Sequence, residues 1–212
     1  MSHLKRQSVP KTWTIPRKGK KYVVKPKANG IPLLIALRDM IDVAQNRKEV
    51  KRAVHTNNIL INGKPAKDET NTLTLFDSIT IVPSNKSYRL TIAESGKYSF
   101  VEIDSKENNK KVSKIIDKRI LKGKKAQLNL EDGNNVLSEI KFNVNDSAIL
   151  NTTEKKIEKI IPLKEGAKVL IFLGKHIGET GKIKNIVGEM AEVIESSGKD
   201  IKVLTKQIIA TN

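Results

Sequence analysis

From Ile59 onward the chain is written in short runs of alternating apolar and polar residues, cut apart by turn signals, and that punctuation restricts it to small sheets or barrels. The runs are Thr72 to Phe76, Ser78 to Val82, Tyr88 to Ile92, Tyr98 to Ile103, Val112 to Ile120, Ala126 to Leu130, Ile140 to Val144 and Ala148 to Leu150. Asn62-Gly63, Ser95-Gly96, Lys122-Gly123 and Asp132-Gly133 separate them. Helical spacing is confined to a short stretch before them. Pro32 suits a first turn, Leu33, Leu34, Leu37, Ile41 and Ala44 recur at the helical period, and Asn46 is placed to cap a second helix from Arg47 to His55. Val50, Ala53 and Val54 form the inner face of that helix, and Arg47, Lys48, Lys51 and Arg52 its outer face. The fold class is therefore α+β, mostly β.

Charge is the second constraint. With 40 Lys and Arg against 23 Asp and Glu, the chain carries a net +17, and the first thirty residues contribute nine cations and no acid. Such a run repels itself and is stabilised by a polyanion whose counterions it displaces. Pro10, Pro16 and Pro26 favour extended chain here. Trp13 sits between Lys11 and Arg17, where it either docks on a neighbouring domain or stacks on a base; docking is favoured. Removing residues 2–21 is expected to weaken binding of the polyanion and leave the melting temperature of the core nearly unchanged.

Several chemistries are disfavoured. There is no cysteine for a disulfide, a thiolate metal site or a Cys nucleophile, and His3, His55 and His176 lack the carboxylate spacing of a metal centre. No apolar run approaches the roughly 20 residues of a membrane span, no phosphate-binding G-x-x-x-x-G-K-[ST] occurs, and no nucleophile elbow is present. The sequence from Glu131 to Asn135 is read as a hairpin turn rather than a cation loop, and Asp104, Asp117, Asp132 and Asp146 as turn or surface residues. No cofactor and no small-molecule substrate are expected, and the protein is expected to be soluble and cytoplasmic.

Two short helices, the second basic, then a strand, Asn62-Gly63-Lys64 and the Asp77 to Ile81 strand resemble the small RNA-binding module named after bacterial ribosomal protein S-four. That resemblance implies RNA contacts from Arg38, Arg47, Lys48, Lys51, Arg52, Asn62 and Lys64. The segment Lys164 to Ile186 resembles the KOW motif of ribosomal proteins and elongation factors, a small SH3-like β-barrel element. Glycines 174, 178 and 181 there permit tight loops and close approach of backbone to RNA, with Lys175, His176 and Lys182 projecting from the element. Glu179 would face phosphate unfavourably unless it turns away or pairs.

The order of the pieces, together with His3 to Trp13, Ile31 to Asp39 and Lys124 to Val136, resembles the S-four-e family of archaeal and eukaryotic small-subunit ribosomal proteins over nearly the whole chain. The resemblance implies a basic arm over residues 1–30, the helix-pair module over 31–85, a central β domain over 86–162 and a KOW-type barrel over 163–212. It implies a structural constituent of the small ribosomal subunit, not an enzyme, with small-subunit ribosomal RNA and neighbouring ribosomal proteins as partners and no membrane association. The archaeal form fits better, and Lys5, Arg6, Lys11, Arg17, Lys18, Lys20 and Lys21 of the arm join the RNA-contacting set. Two rival readings are an RNA-modifying enzyme that carries the helix pair as an accessory, and a transcription or translation factor whose KOW barrel holds a protein partner.

Overall fold

Among the described residues α- and π-helix is confined to residues 33–55, and strands, turns and 3-10 helices of a single turn fill most of the rest. A computed structural model of the chain describes residues 3–104, 107–121, 126–138, 140–195 and 198–211, in two units: Met1–Thr91 with Lys97–Asn109, and Ile92–Gly96 with Lys110–Asn212.

In the first unit, β1 (His3–Lys5) pairs antiparallel with β2 (Tyr22–Val24), so that Lys5 lies across from Tyr22 and His3 from Val24. The loop between them is held by two arginines. Arg6 donates to the carbonyls of Lys20 at 2.7 Å and Pro16 at 2.9 Å, while Arg17 donates to those of Val9 at 2.6 Å and Gln7 at 3.2 Å. A short strand, β3 (Ile31–Pro32), leads into α1 (Leu33–Ile35), which widens into a π-helical turn over Ala36–Met40. Asp42, in the left-handed region at φ 59, ends it.

The second helix, α2 (Arg47–His55), has a reciprocal cap: the Asn46 side chain accepts from the Glu49 amide at 3.1 Å, and the Glu49 carboxylate accepts from the Gln45 amide at 2.7 Å. Val50 and Val54 are its buried face. Then follow β4 (Ile59–Ile61), β5 (Lys64–Pro65), β6 (Thr72–Leu73), β7 (Ser78–Ile81), β8 (Lys86–Ile92) and β9 (Tyr98–Ile103). Asn62 and Gly63, both at positive φ, make the β4–β5 turn, and the sheet runs in the order β5-β4-β7-β8-β9.

The arm is part of this unit's core. Val9, Trp13, Ile15, Val23 and Val24 pack in one cluster with Leu33, Leu37, Val50, Ile79 and Leu90, and Trp13 is only 3% exposed. Thr14 donates to the Tyr98 carbonyl and the Tyr98 amide to the Thr12 carbonyl, each at 2.7 Å. Trp13 therefore docks, and the expectation that residues 2–21 could be removed without thermal cost is overturned: apolar burial of this kind contributes about 1.5–3 kcal/mol per side chain.

The second unit contains β10 (Lys110–Ile120), β11 (Ala126–Leu130), β12 (Asn135–Ser138), β13 (Ser147–Asn151) and β14 (Lys156–Ile161), in the order β12-β11-β10-β13-β14. It also contains β15 (Lys168–Ile171), β16 (Thr180–Val187), β17 (Met190–Glu195), β18 (Asp200–Leu204) and β19 (Ile208–Ala210), in the order β18-β17-β16-β15-β19. Ile115, Leu128, Leu130 and Phe142 fill the core of the first sheet, and Val169, Ile171, Val193 and Ile208 that of the second.

Ile140 to Val144, read above as a strand, is a loop. Of its apolar residues only Phe142 is buried, Ile140 and Val144 being exposed, and its backbone is held by a side chain instead of a strand: the buried Asp146 carboxylate accepts the amide of Asn143 and, further along the chain, that of Leu163, each at 2.9 Å. The strand that follows β11 and pairs with its free edge is β12, and Glu131 to Asn134 is the hairpin turn joining them. Asp132 and Asp146 sit at turns yet are not surface groups. Asp132 forms a buried ion pair with Lys111 at 2.9 Å; burial pushes its carboxyl upward, but the Lys111 ammonium and the hydrogen bonds from Asn134 together hold it below the usual carboxylate range. Lys122-Gly123 and the start of the Lys124 to Val136 stretch lie outside the described residues.

Candidate nucleic-acid interface

The first unit carries a groove of about 670 Å³ in which arm and helices meet. The arm's strand pair brings His3 and Tyr22 to one wall, with Arg6 and Lys20 beside them, while the end of the first helical segment supplies Arg38 and the start of α2 supplies Gln45, Asn46, Arg47 and Lys48. The floor is apolar: Val23, Val24, Leu34 and Ile35 are all buried. Cations thus ring a greasy base, an arrangement that takes an anionic group at the rim and a flat apolar one within.

Local chemistry divides these cations. Arg6 and Arg17 spend their guanidinium groups on arm carbonyls, Arg38 pairs with Asp39 at 2.6 Å, and Arg47 is held by the buried Glu69. The hydrogen bond that Arg47 donates to the Glu69 carboxylate raises its pKa further, against a smaller opposing effect of burial. Lys51 reaches the same Glu69 oxygen at 4.0 Å. Glu69 was not singled out in the sequence; it lies between β5 and β6, and nothing local marks it as the partner of α2.

Lys5, Lys11, Lys18, Lys20, Lys48 and Arg52 stay exposed and form no side-chain ion pair with described residues, and Lys21 lies 5.5 Å from the centre of the Tyr22 ring. Asn62 turns inward, donating to the Asp77 carboxylate at 2.7 Å and accepting from the Ser78 amide at 2.9 Å, while Lys64 beside it is exposed.

In the second unit Lys175 is exposed, and His176 faces Glu179 at 3.0 Å, so the acid of that loop is paired. Lys182 lies directly across from Lys168, a neighbour not anticipated from sequence. Like charges directly opposite one another destabilise a sheet. Gly178 and Gly181 do permit close approach, but of the chain to itself: a Cβ at Gly178 would fall 2.1 Å from the Ala93 carbonyl oxygen, and one at Gly181 2.3 Å from that of Ile194. No helix among the described residues is long and apolar enough to cross a membrane, and no group of three His, Cys, Asp or Glu among them is placed to hold a metal ion.

Two family models match the chain: the ribosomal family S4e over residues 84–157 and the RS4NT domain over residues 2–28. The small ribosomal subunit protein eS4 of Methanocella arvoryzae is 38% identical over 210 residues, spanning 96% of this chain and 87% of its own. Its counterpart in Archaeoglobus fulgidus is 39% identical over 188 residues, spanning 86% of this chain and 79% of its own. The crystal structure of the 30S ribosomal protein S4e from Thermoplasma acidophilum shares the fold, with a TM-score of 0.73 over 88% of this chain and 96% of that one, at 22% identity. With relatives this similar along nearly its whole length, the chain belongs to the ribosomal S4e family.

Proposed function

We propose that this protein is a structural constituent of the small ribosomal subunit, working in the cytoplasm and without catalysis, and that it binds the subunit's ribosomal RNA. The observation that carries the reading is the groove of the first unit, which gathers cations from three separate segments around one concavity. Its exposed lysines neutralise phosphates, and folded RNA is recognised by shape and backbone more than by base sequence. Residues 31–85 act as the S-four-type module beneath the basic arm of residues 1–30. Residues 86–162 form a central β domain, and residues 163–212 a KOW-type barrel whose Lys175, Lys182 and Lys168 make a second RNA contact. Among the RNA-contacting residues, Lys5, Lys11, Lys18, Lys20, Lys21, Lys48, Arg52 and Lys64 act directly. Arg6, Arg17, Arg47 and Asn62 act mainly by fixing the surface that presents them.

Neighbouring ribosomal proteins are the second partner class. Val187, Met190 and Leu204 lie side by side across β16, β17 and β18 and are exposed, while Lys202 and Lys206 close by are neutralised by Glu192 and Glu189. Such a surface suits protein better than phosphate. Sedimentation of a cell lysate through a high-salt gradient tests the assignment: the protein is expected to remain with the small subunit in near one-to-one proportion, and release into the soluble fractions would favour a cycling factor instead.

A further inference from the structure

The geometry points to a nucleotide-sized subsite in the groove of the first unit, where an unpaired RNA base stacks on Tyr22 while its phosphates are held by the surrounding cations. This rests on the RNA-binding reading above and specifies what the groove takes. Among the eight aromatic residues, all of them described, Trp13, Phe142 and Phe172 are buried and Phe76, Tyr88, Tyr98 and Phe100 are partly so; Tyr22 is the one in the open, at 55% exposure. It is also the aromatic that lines the basic groove.

The ring is held in place from several sides. Its neighbours in β2, Val23 and Val24, are buried in the core, and the strand is paired to β1. His3 meets the ring edge-on, with centroids 6.3 Å apart and planes at 63°, and the Lys21 ammonium lies 5.5 Å from its centre. A fixed, exposed aromatic beside cations is the arrangement that takes up a splayed-out base, since every base has a π face and its phosphate needs a counter-charge within a few ångströms. The apolar floor of Val23, Val24, Leu34 and Ile35 favours a flat ring over bulk water, and about 670 Å³ lies within the roughly 300–1,000 Å³ of small-ligand sites. A continuous RNA duplex does not fit the arrangement, because its bases are stacked on each other and present only edges and backbone.

The test uses the full chain and a transcript of small-subunit ribosomal RNA, with affinity measured across a tenfold salt range. Tyr22→Ala and Tyr22→Leu are expected to weaken binding about 5- to 100-fold with the slope against salt unchanged, because stacking displaces no counterions. Tyr22→Phe, which keeps the ring, recovers affinity to within about threefold of the wild type. Ultraviolet irradiation of the wild-type complex is expected to leave a nucleotide adduct on the peptide that contains Tyr22. Wild-type affinity in Tyr22→Leu, or adducts confined to other peptides, overturns the stacking subsite and leaves the RNA-binding reading standing. Failure of the wild-type chain to bind the transcript with a salt-dependent affinity overturns that reading itself, and the melting temperature of each variant separates lost stacking from lost folding.

Discussion

Lys114 is the residue whose setting departs furthest from its kind. Its side chain is 3% exposed, its ammonium donates to the carbonyls of Thr205 and Ile208, the latter at 2.6 Å, and the Phe172 ring centre lies 5.9 Å away. Burial pushes its pKa down to about 8, partly offset by the Glu131 carboxylate. A lysine with a lowered folded-state pKa costs stability while it is protonated. That cost is greatest below pH 8, shrinks as pH rises toward the ordinary value of 10.5, and amounts to roughly 3 kcal/mol across the window. Lys114→Met should therefore flatten the rise in stability between pH 8 and 10 relative to the wild type, as read by denaturant melts at each pH. Trp13 is the other residue with a large expected effect. Trp13→Ala should destabilise the first unit by about 3–5 kcal/mol, measured as a shift in urea midpoint, because it empties a packed site. The Lys114 effect is not visible in the local sequence, where it reads as one more lysine in a lysine-rich chain; for Trp13 the sequence favours docking but does not name the residues it packs among.

At the level of elements, α2 was legible to the residue. Asn46 as cap, Val50 and Val54 as buried face and His55 as end are all local information, carried by spacing and by one side-chain hydrogen bond. Asn46→Ala should cost about 1 kcal/mol and loosen the helix start that lines the groove, seen together as a lower melting temperature and weaker RNA binding. Ile140 to Val144 shows where the same logic stops. Alternation of apolar and polar letters does not by itself make a strand: here Phe142 alone is buried, Ile140 and Val144 are exposed, and the Asn143 amide is bonded to the Asp146 carboxylate instead of a neighbouring strand. The arm is the third case. Because Val9, Trp13 and Ile15 are buried, removing residues 2–21 should lower the first unit's melting temperature by at least about 10 °C as well as weaken RNA binding, and an unchanged melt would contradict the packing described here.

For the whole molecule the net charge of +17 sets the expected salt response. The logarithm of affinity for a small-subunit ribosomal RNA transcript should fall with the logarithm of salt by about 0.7–0.9 per phosphate neutralised, and alanine at Lys20 and Lys48 together should reduce that slope by roughly 1.5. The sequence by itself determined the charge excess and its concentration at one end, the strand-rich class, the second helix and its cap, and the family, because composition, period and capping are properties of neighbouring residues. Only the tertiary structure decided which partners the basic side chains of the arm and of α2 take. It turned Arg6 and Arg17 onto backbone carbonyls, gave Arg47 to Glu69 across 22 positions of chain, buried Trp13 and left Tyr22 exposed over the groove. The reason is physical: a side chain's partner is fixed by which distant segments pack against it, and no pattern of adjacent residues encodes that distance.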